Sequence, residues 1–586
     1  MFFGQACYYL FPKFSRRSLR FAHASTLWPI FGLHPEKNNV PKSGWWTRLQ
    51  DVSPLPLPDQ NTYYAGRQVA DAIVARLKAL IPDFFLCAGV DLEYLFRVHL
   101  QFFMAYTCLP FLHAALTQQT LPSRMVLVDS HFSEELLQDF ISAYLPSLGF
   151  QGRFQCKTSV RIPRLLRTLR QWEETAQPVQ LSESPGGVWG ILTHDEHFKF
   201  LQAPLEAERE ALNSKQEIRL LLAREGLNSP EGYTGYAMPA IPQGSRLSAC
   251  LQGLRDLLQR IARLRHPADQ CFCLGQLDLL LELCEKLLRF EGSLQRFRPE
   301  SLVGCLEYSS YGGLTSLLKG VHGYRLLNVQ HGIISPSWAF DGLRFDYFLA
   351  WNEASAKVIR ADGYPDDGSI HVVGNPFWEK LHWLFSHGTP SAQYEDLLTW
   401  KGNAPLIGTY PQSIQGYSTA QLQRQYIGVL LEYLWQEPAA KLLIKEHPLC
   451  TTPWLAEVIE ANGLSERVRI YASNELTLWE SFKAVDVVTS VFSAVLLEAV
   501  SLGKPTLAID LENTIARQEI LLSDALPVVT QQEAIHPALN RLLRDGASIN
   551  EAARQALTPH FEQPYAQRLS SILQTAANDL AVLQAR

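Results

Sequence analysis

Ten cysteines are spread through 586 residues without a paired C-x-x-C spacing. Cys271-x-Cys273 is too close for such a site and has no second pair, so the sequence offers no zinc-ribbon framework. The remaining thiols are scattered and mostly flanked by apolar residues, which reads as buried, reduced cysteine in a cytosol. No window reaches about 18 uninterrupted apolar residues, so no membrane-spanning helix is expected. The longest apolar region, Leu95 to Leu116, is broken by Arg97, His99, Gln101 and His113 and suits buried helices. The N-terminus, MFFGQACYYLFPKFSRRSLRF, has no basic segment ahead of its apolar part and no clean small-residue cleavage site, which argues against a secretory signal. Positive charge is not in excess. A formal net charge of -6 excludes a general nucleic-acid binder, and no nucleic-acid partner is expected.

What is present fits a folded chain with more than one core. The sequence is 47% hydrophobic and 19% charged, which excludes gross disorder. Its length exceeds what one hydrophobic core serves, so two large domains or more are expected. Residues 1–65 are rich in Pro, Trp and other aromatics and have no clear period. Val69, Ile73, Leu77 and Ile81 then recur every four residues and predict a helix. Met125 to Val128 reads as the strand of a βα unit. Residues 151–300 carry fewer signals. Arg161, Arg164, Arg167 and Arg170 fall three apart between leucines; with Lys13, Arg16, Arg17 and Arg20 they suit either a solvated basic face or contact with anionic headgroups. His194-x-x-His197 lacks a third metal ligand at a recognisable spacing. Residues 204–224 and 246–298 read as helical, with Leu277, Leu280, Leu281, Leu287 and Leu288 as core.

From Glu300 onward, short apolar strands end in polar or glycine-rich residues. Leu302 to Leu306 ends at Glu307. Tyr324 to Val329 ends in Gln330-His331-Gly332. Ile370 to Val373 ends in Gly374-Asn375-Pro376. Residues 386–403 read as a polar linker, after which βα alternation resumes. Pro405 to Thr409 and Ala440 to Ile444 are strands, the second leaving through Lys445-Glu446-His447-Pro448. In open α/β sheets the C-terminal strand edge is where ligands bind. The stretch from Val485 to Asp510, VDVVTSVFSAVLLEAVSLGKPTLAID, organises this half: a strand, a serine-bearing turn, a helix closed by Gly503-Lys504-Pro505, and a second strand. Ser490 and Ser493 stand at the helix start, where free N–H groups and about half a positive charge favour phosphate.

The order QHG, GNP, KEHP, then S-x-x-S…E-A-x-x-x-G-K-P resembles the GT-B glycosyltransferases of bacterial surface-polysaccharide (capsule and lipopolysaccharide) synthesis. The likeness is greatest to the group that uses CMP-activated Kdo or sialic acid. The sequence is also similar to the glycerophosphate polymerases of teichoic acid synthesis and to non-hydrolysing UDP-GlcNAc 2-epimerases. The resemblance covers about Glu300 to Asp510. It implies an α/β GT-B fold, two Rossmann-like doubly wound domains facing a cleft, with a helical insertion in the N-terminal half. Residues 1–385 would be the acceptor-binding domain, its helical insertion at about 151–300, and 386–586 the nucleotide-sugar-binding domain.

Roles follow from the same resemblance. Lys445 and His447, followed by Pro448, resemble the basic-x-His-Pro motif that meets the donor's nucleotide phosphate, and Ser490 and Ser493 resemble the serine pair on that phosphate. Glu498 resembles the carboxylate that accepts from ribose hydroxyls. An inverting transfer also needs a base for the acceptor hydroxyl. Glu307 is the first choice and His331 a donor or acceptor binder, with the reverse order open. Gln330, Gly332, Gly374 and Asn375 would line the cleft through their backbone. The acidic pair followed by glycine of some sialyltransferases is not in its expected place, since Asp366-Asp367-Gly368 reads as a turn. No DxD-like motif is placed for a metal, so neither metal nor cofactor is expected, only a nucleotide-sugar substrate, CMP-linked by preference. The expected activity is an inverting glycosyl transfer, of Kdo or a related acidic sugar, to an oligosaccharide or lipid-linked surface-glycan acceptor. The expected location is cytoplasmic, with peripheral contact at the inner membrane. The rival readings are a CDP-glycerol-type polyol-phosphate transferase, a UDP-GlcNAc 2-epimerase-like enzyme and a non-catalytic GT-B assembly protein.

Overall fold

The computed structural model describes residues 7–11, 27–29, 60–103, 124–128, 153–157, 162–180, 186–224, 226–307, 309–332, 334, 340–411, 420–447, 454–491, 493–511, 527–546, 554 and 564–574. The chain divides into two compact units: Met1–Pro185 with Met238–Arg298 and Gly313–His322, and Gly186–Ala237 with Pro299–Gly312 and Gly323–Arg586. No helix among the described residues is long and apolar enough to cross a membrane.

The first unit holds β1 (Cys7–Phe11), β2 (Leu27–Pro29), the two-residue strands β3 (Leu86–Cys87) and β4 (Val90–Asp91), β5 (Arg124–Val128) and β6 (Arg153–Lys157). Strands β2-β1-β5-β6 form a parallel sheet in that order, and β3 and β4 an antiparallel hairpin. Two of those strands come from residues 1–65, where no sequence period was visible. Helix Gln60–Leu80 buries Val69, Ile73 and Leu77 along one face, as the four-residue spacing predicts, and Ile81 just after it is buried too. Residues 246–298 are helical as expected, over Ser245–Ala262, Pro267–Gly275 and Leu277–Phe297, and the five leucines singled out there are all buried. Helix Ile162–Thr175 buries Leu165, Leu169 and Trp172 and leaves Arg167 and Arg170 exposed. Lys13, Arg16, Arg17, Arg20 and Arg161 lie outside the described residues.

The second unit holds two larger parallel sheets. The first comprises β7 (Val188–Leu192), β8 (Arg219–Leu222), β9 (Thr234–Ala237), β10 (Ser301–Gly304), β11 (Arg325–Val329), β12 (Tyr347–Ala350) and β13 (Ile370–Val372), ordered β13-β12-β11-β10-β7-β8-β9. The second comprises β14 (Leu406–Thr409), β15 (Lys441–Lys445), β16 (Val468–Tyr471), β17 (Val487–Ser490), β18 (Thr506–Ile509) and β19 (Val528–Val529), ordered β16-β15-β14-β17-β18-β19. Every strand pair in both is parallel. Strands β7, β10, β12, β14, β17 and β18 are buried at every position, which is why they read as continuous apolar runs rather than alternating ones. The two doubly wound sheets agree with the GT-B-type α/β fold implied by the sequence.

Two stretches differ from the sequence expectation. Residues 204–224 are not helical throughout: helix Phe198–Ala211 ends and β8 begins at Arg219. A four-residue run such as RLLL has no period long enough to separate strand from buried helix. Residues 386–403 are no open linker, since they contain helix Ala392–Lys401, capped by the Ser391 hydroxyl, which accepts from Tyr394 N–H. Tyr394 and Leu397 pack with Leu406, Trp479 and Phe482 in the core of the second sheet. That burial makes the polar-looking segment part of the domain.

Candidate functional site

In each large sheet the strand order reverses once. In the first it reverses between β7 and β10, because β8 and β9 lie to one side and β11 to β13 to the other. In the second it reverses between β14 and β17. At such a point the loops leaving the two central strands diverge and leave a crevice at the C-terminal edge. The residues singled out from sequence gather at these two edges.

At the first edge, Glu307 follows β10 and His331 follows β11. Glu307 Oε1 accepts from the His331 backbone N–H (3.0 Å) and lies 2.9 Å from His331 Nδ1. A carboxylate accepts only, so Nδ1 is the ring nitrogen that donates. The Glu307 side chain is fully buried while the imidazole keeps partial exposure. Oε2 of Glu307 has no hydrogen-bond partner among the described residues. Buried Asn328 fixes the register of the two strand ends: its Oδ1 accepts from Leu306 N–H at 2.7 Å.

Gln330 sits between Glu307's partner His331 and the end of β11. Its side chain is wholly buried; Nε2 donates to the Gly332 carbonyl (2.8 Å) and to Ser355 Oγ (3.1 Å), and Oε1 accepts from Trp351 N–H (2.9 Å). Its own carbonyl accepts from the Trp351 indole N–H at 2.8 Å. These four bonds lock the turn that presents His331. At Gly332 an added Cβ would meet nothing within 4 Å, so its backbone does not demand glycine on steric grounds.

The neighbouring strand brings a residue with no assigned role in the sequence reading. His197 follows β7 and its ring lies 4.3 Å from that of His331, centroid to centroid. Burial, and then the positive charge His331 or His194 would carry, push His197 down to about 2, so it stays neutral. Thr193 Oγ1 is 2.9 Å from its Nδ1. The His194 ring lies 5.0 Å from that of His197, tilted against it, and accepts at Nδ1 from Arg224 Nη1 (3.1 Å). The H-x-x-H pair thus joins a row of tilted rings beside the Glu307–His331 pair rather than a three-ligand metal cluster among the described residues. The link from β7 to β10 was invisible in sequence, since more than a hundred residues separate them.

The GNP turn after β13 is structural in two ways. Asn375 caps helix Pro376–His387, its Oδ1 accepting from Phe377 N–H at 2.9 Å. Gly374 has φ of +82°, and a Cβ there would lie 2.9 Å from Arg568 Nη2. Arg568, from residues 565–574, donates from Nε and Nη2 to the Val373 carbonyl (3.1 and 2.7 Å) and pairs with Glu379 at 2.7 Å. The close backbone approach expected at Gly374 is made by Arg568 of the same chain. Asp367, in the loop read as a turn, accepts from Ser369 N–H at 3.0 Å next to Gly368 at φ +83°.

At the second edge, Ser490 ends β17 and is fully buried; its hydroxyl donates to the Tyr410 carbonyl (2.7 Å), tying β17 to β14 across the reversal. The Ser490 proton therefore holds the scaffold. Ser493 is half-buried and caps helix Ala494–Ser501, its Oγ accepting from Val495 N–H at 3.3 Å. Glu498, in that helix, is buried, and burial raises its carboxyl above the usual range, opposed by the ammonium of Lys199. Lys199 lies over the Phe377 and Phe200 rings at 4.5 and 4.9 Å; it is exposed and nothing in its sequence neighbourhood marked it. Lys445 ends β15, donates to the Ser473 carbonyl (2.9 Å), and is pushed down to about 8 by burial, against the pull of Glu475 and Glu480. His447 is half-buried two residues on, and Pro448 lies outside the described residues.

No protein-family model matches the chain, and no curated protein does. Among solved structures it is similar to UDP-GlcNAc 2-epimerase from Neisseria meningitidis bound to UDP-GlcNAc, with 15% identity, covering 66% of this chain and 98% of that one at a TM-score of 0.43. It is similar to the wall teichoic acid polymerase TagF, with 11% identity, covering 71% of this chain and 96% of that one at a TM-score of 0.40. It is also similar to the S. aureus MnaA–UDP structure, with 13% identity, covering 66% of this chain and 94% of that one at a TM-score of 0.43.

Proposed function

We propose that this chain is an inverting glycosyltransferase that moves a sugar from a nucleotide-sugar donor to a surface-glycan acceptor, with His331 as base. The observation that carries this reading is the Glu307–His331 pair at the ends of β10 and β11, beside the strand-order reversal: the buried carboxylate accepts from Nδ1 of an imidazole that keeps partial exposure, and Nε2 is the atom assigned to take the proton. In the reaction, the acceptor hydroxyl gives its proton to Nε2 as its oxygen bonds to the anomeric carbon. The bond from that carbon to the donor phosphate breaks on the opposite face, and the nucleotide leaves with the electron pair. Glu307 stabilises the imidazolium that forms, which makes it a positioning residue and reverses the order first favoured from sequence.

For the donor, the leaving phosphate gains charge, and Lys445, His447 and the N-terminus of helix Ala494–Ser501 with Ser493 are the groups suited to stabilise it. Glu498 is a buried carboxyl whose nearest charge is the Lys199 ammonium, and a carboxylate there suits an acceptor for ribose hydroxyls. Preference for a CMP-linked acidic sugar of the Kdo class rests on the sequence resemblance, and no metal enters the scheme. The test is incubation of the full chain with CMP-, CDP- and UDP-activated donors and an oligosaccharide acceptor, read by mass spectrometry. Sugar transfer from a CMP donor supports the proposal. Transfer of glycerol phosphate from CDP-glycerol, epimerised UDP-GlcNAc, or no turnover with any donor overturns it.

A further inference from the structure

Three buried cysteines in the first unit come from three separate elements: Cys87 on β3, Cys250 on helix Ser245–Ala262 and Cys284 on helix Leu277–Phe297. Their sulfurs all lie within 4.8 Å of one another, and Cys87 Sγ is 2.9 Å from Cys250 Sγ. Among the described residues this is the one grouping of three ligand atoms from His, Cys, Asp or Glu. All three also line a cavity of about 350 Å³, shared with Asp83, Ala88 and Arg260.

We propose that Cys87, Cys250 and Cys284 form a binding site for a thiophilic d10 cation of the zinc class. A Zn–S bond of about 2.3 Å places neighbouring sulfurs about 3.8 Å apart in a tetrahedron, and about 4.0 Å apart in a trigonal plane; both lie inside the 4.8 Å that encloses the three sulfurs, and the Cys87–Cys250 pair, at 2.9 Å, opens by about 1 Å to take the ion. Three converging sulfurs are more than a disulfide needs, since one thiol would be left over. Packing alone gives no reason for a strand and two helices to bring their only sulfurs there to one point. The cavity supplies what three ligands lack: room for a fourth, exchangeable donor such as water. Three thiolates around a dication leave one net negative charge; the guanidinium of Arg246 favours the Cys87 thiolate and the Glu291 carboxylate opposes it. Arg246 is itself fixed by Glu291 at 2.6 Å and by donation to the Ala88 carbonyl at 3.0 Å. The sequence hid this site because its ligands are 163 and 34 residues apart and share no motif.

The test uses the full chain, purified under reducing conditions and stripped by chelator, then titrated with Zn²⁺ or with Co²⁺ as a spectroscopic substitute. One ion per chain, with a sulfur-to-cobalt charge-transfer band that is lost in Cys284→Ser and retained in Cys271→Ser, is the expected result. A second readout needs no variant: saturating Zn²⁺ should slow alkylation of Cys87, Cys250 and Cys284 in the wild-type chain and leave Cys271 unchanged. Unchanged alkylation of the three under saturating Zn²⁺ overturns the proposal. So does a chain two hydrogens light that holds no metal, which would identify a Cys87–Cys250 disulfide.

Discussion

Replacing Glu307 with Gln changes one charge and almost no volume at the centre of the proposed chemistry. Glu307 Oε1 now accepts from both the backbone N–H and Nδ1–H of His331. A neutral amide can still accept one of these bonds, but it cannot offset the charge of the imidazolium, and its NH₂ can turn toward Nδ1 and favour the wrong tautomer. A hydrogen bond to a charged group contributes about 1.5–3 kcal/mol. At about 1.4 kcal/mol per decade of rate, the expected loss in kcat for Glu307→Gln is about ten- to a hundredfold, with KM for the acceptor little changed. The assay is nucleotide release from the donor that supports transfer, followed over pH, with the His331 tautomer read from ¹⁵N shifts. Wild type should show the Nδ1–H form and Glu307→Gln a mixture. His331→Ala should lose more activity than Glu307→Gln and regain part of it with added imidazole. A Glu307→Gln variant within about threefold of wild type, or one rescued by formate while His331→Ala stays active, would refute the assignment of His331 as base.

Other consequences are as direct. Lys445 is pushed down to about 8, so nucleotide affinity should fall as pH rises from about 7 to 9 and the ammonium loses its charge; calorimetry on Lys445→Met should show weaker binding without that pH dependence. Burial raises Glu498 in the folded state, so its contribution to stability is present at acid pH and lost as pH rises through the folded value. Glu498→Gln should therefore raise Tm at pH 8 more than at pH 5, by about 2–4 °C if the gain is near 1 kcal/mol, while weakening nucleotide binding. His197 works in the opposite direction, being held neutral where the unfolded chain takes up a proton near 6.5; stability should fall as pH drops below that value, and His197→Gln should flatten the fall in a urea titration series. Gly312→Ala would place a Cβ 2.3 Å from the Leu306 carbonyl, a backbone atom that moves only with the Glu307 turn. A loss of about 1–3 kcal/mol in unfolding free energy and a drop in kcat are expected.

The sheets of the second unit were legible because their strands are buried on both faces and end in polar triplets. β10, β11, β14, β15 and β17 fall where the apolar runs put them. What the letters could not carry was distance across the fold. β7 sits beside β10 only through the reversal in strand order, so His197 and its ring contact with His331 had no local signal. The same limit hid Arg568 on the Gly374 turn and Lys199 facing Glu498. Hydrogen-bond partners were not legible either: the Gln330 side chain bonds Trp351, Ser355 and Gly332, and the Ser490 hydroxyl donates to the Tyr410 carbonyl.

The division of labour between the two strand edges is tested most directly by calorimetric titration of CMP into wild type, His447→Ala and His331→Ala. CMP should bind wild type more tightly than CDP, UDP or GDP, lose about tenfold or more in affinity in His447→Ala, as expected for a charge-assisted phosphate contact, and bind His331→Ala as it binds wild type. Equal affinity in His447→Ala and wild type, or loss of binding in His331→Ala alone, would contradict it.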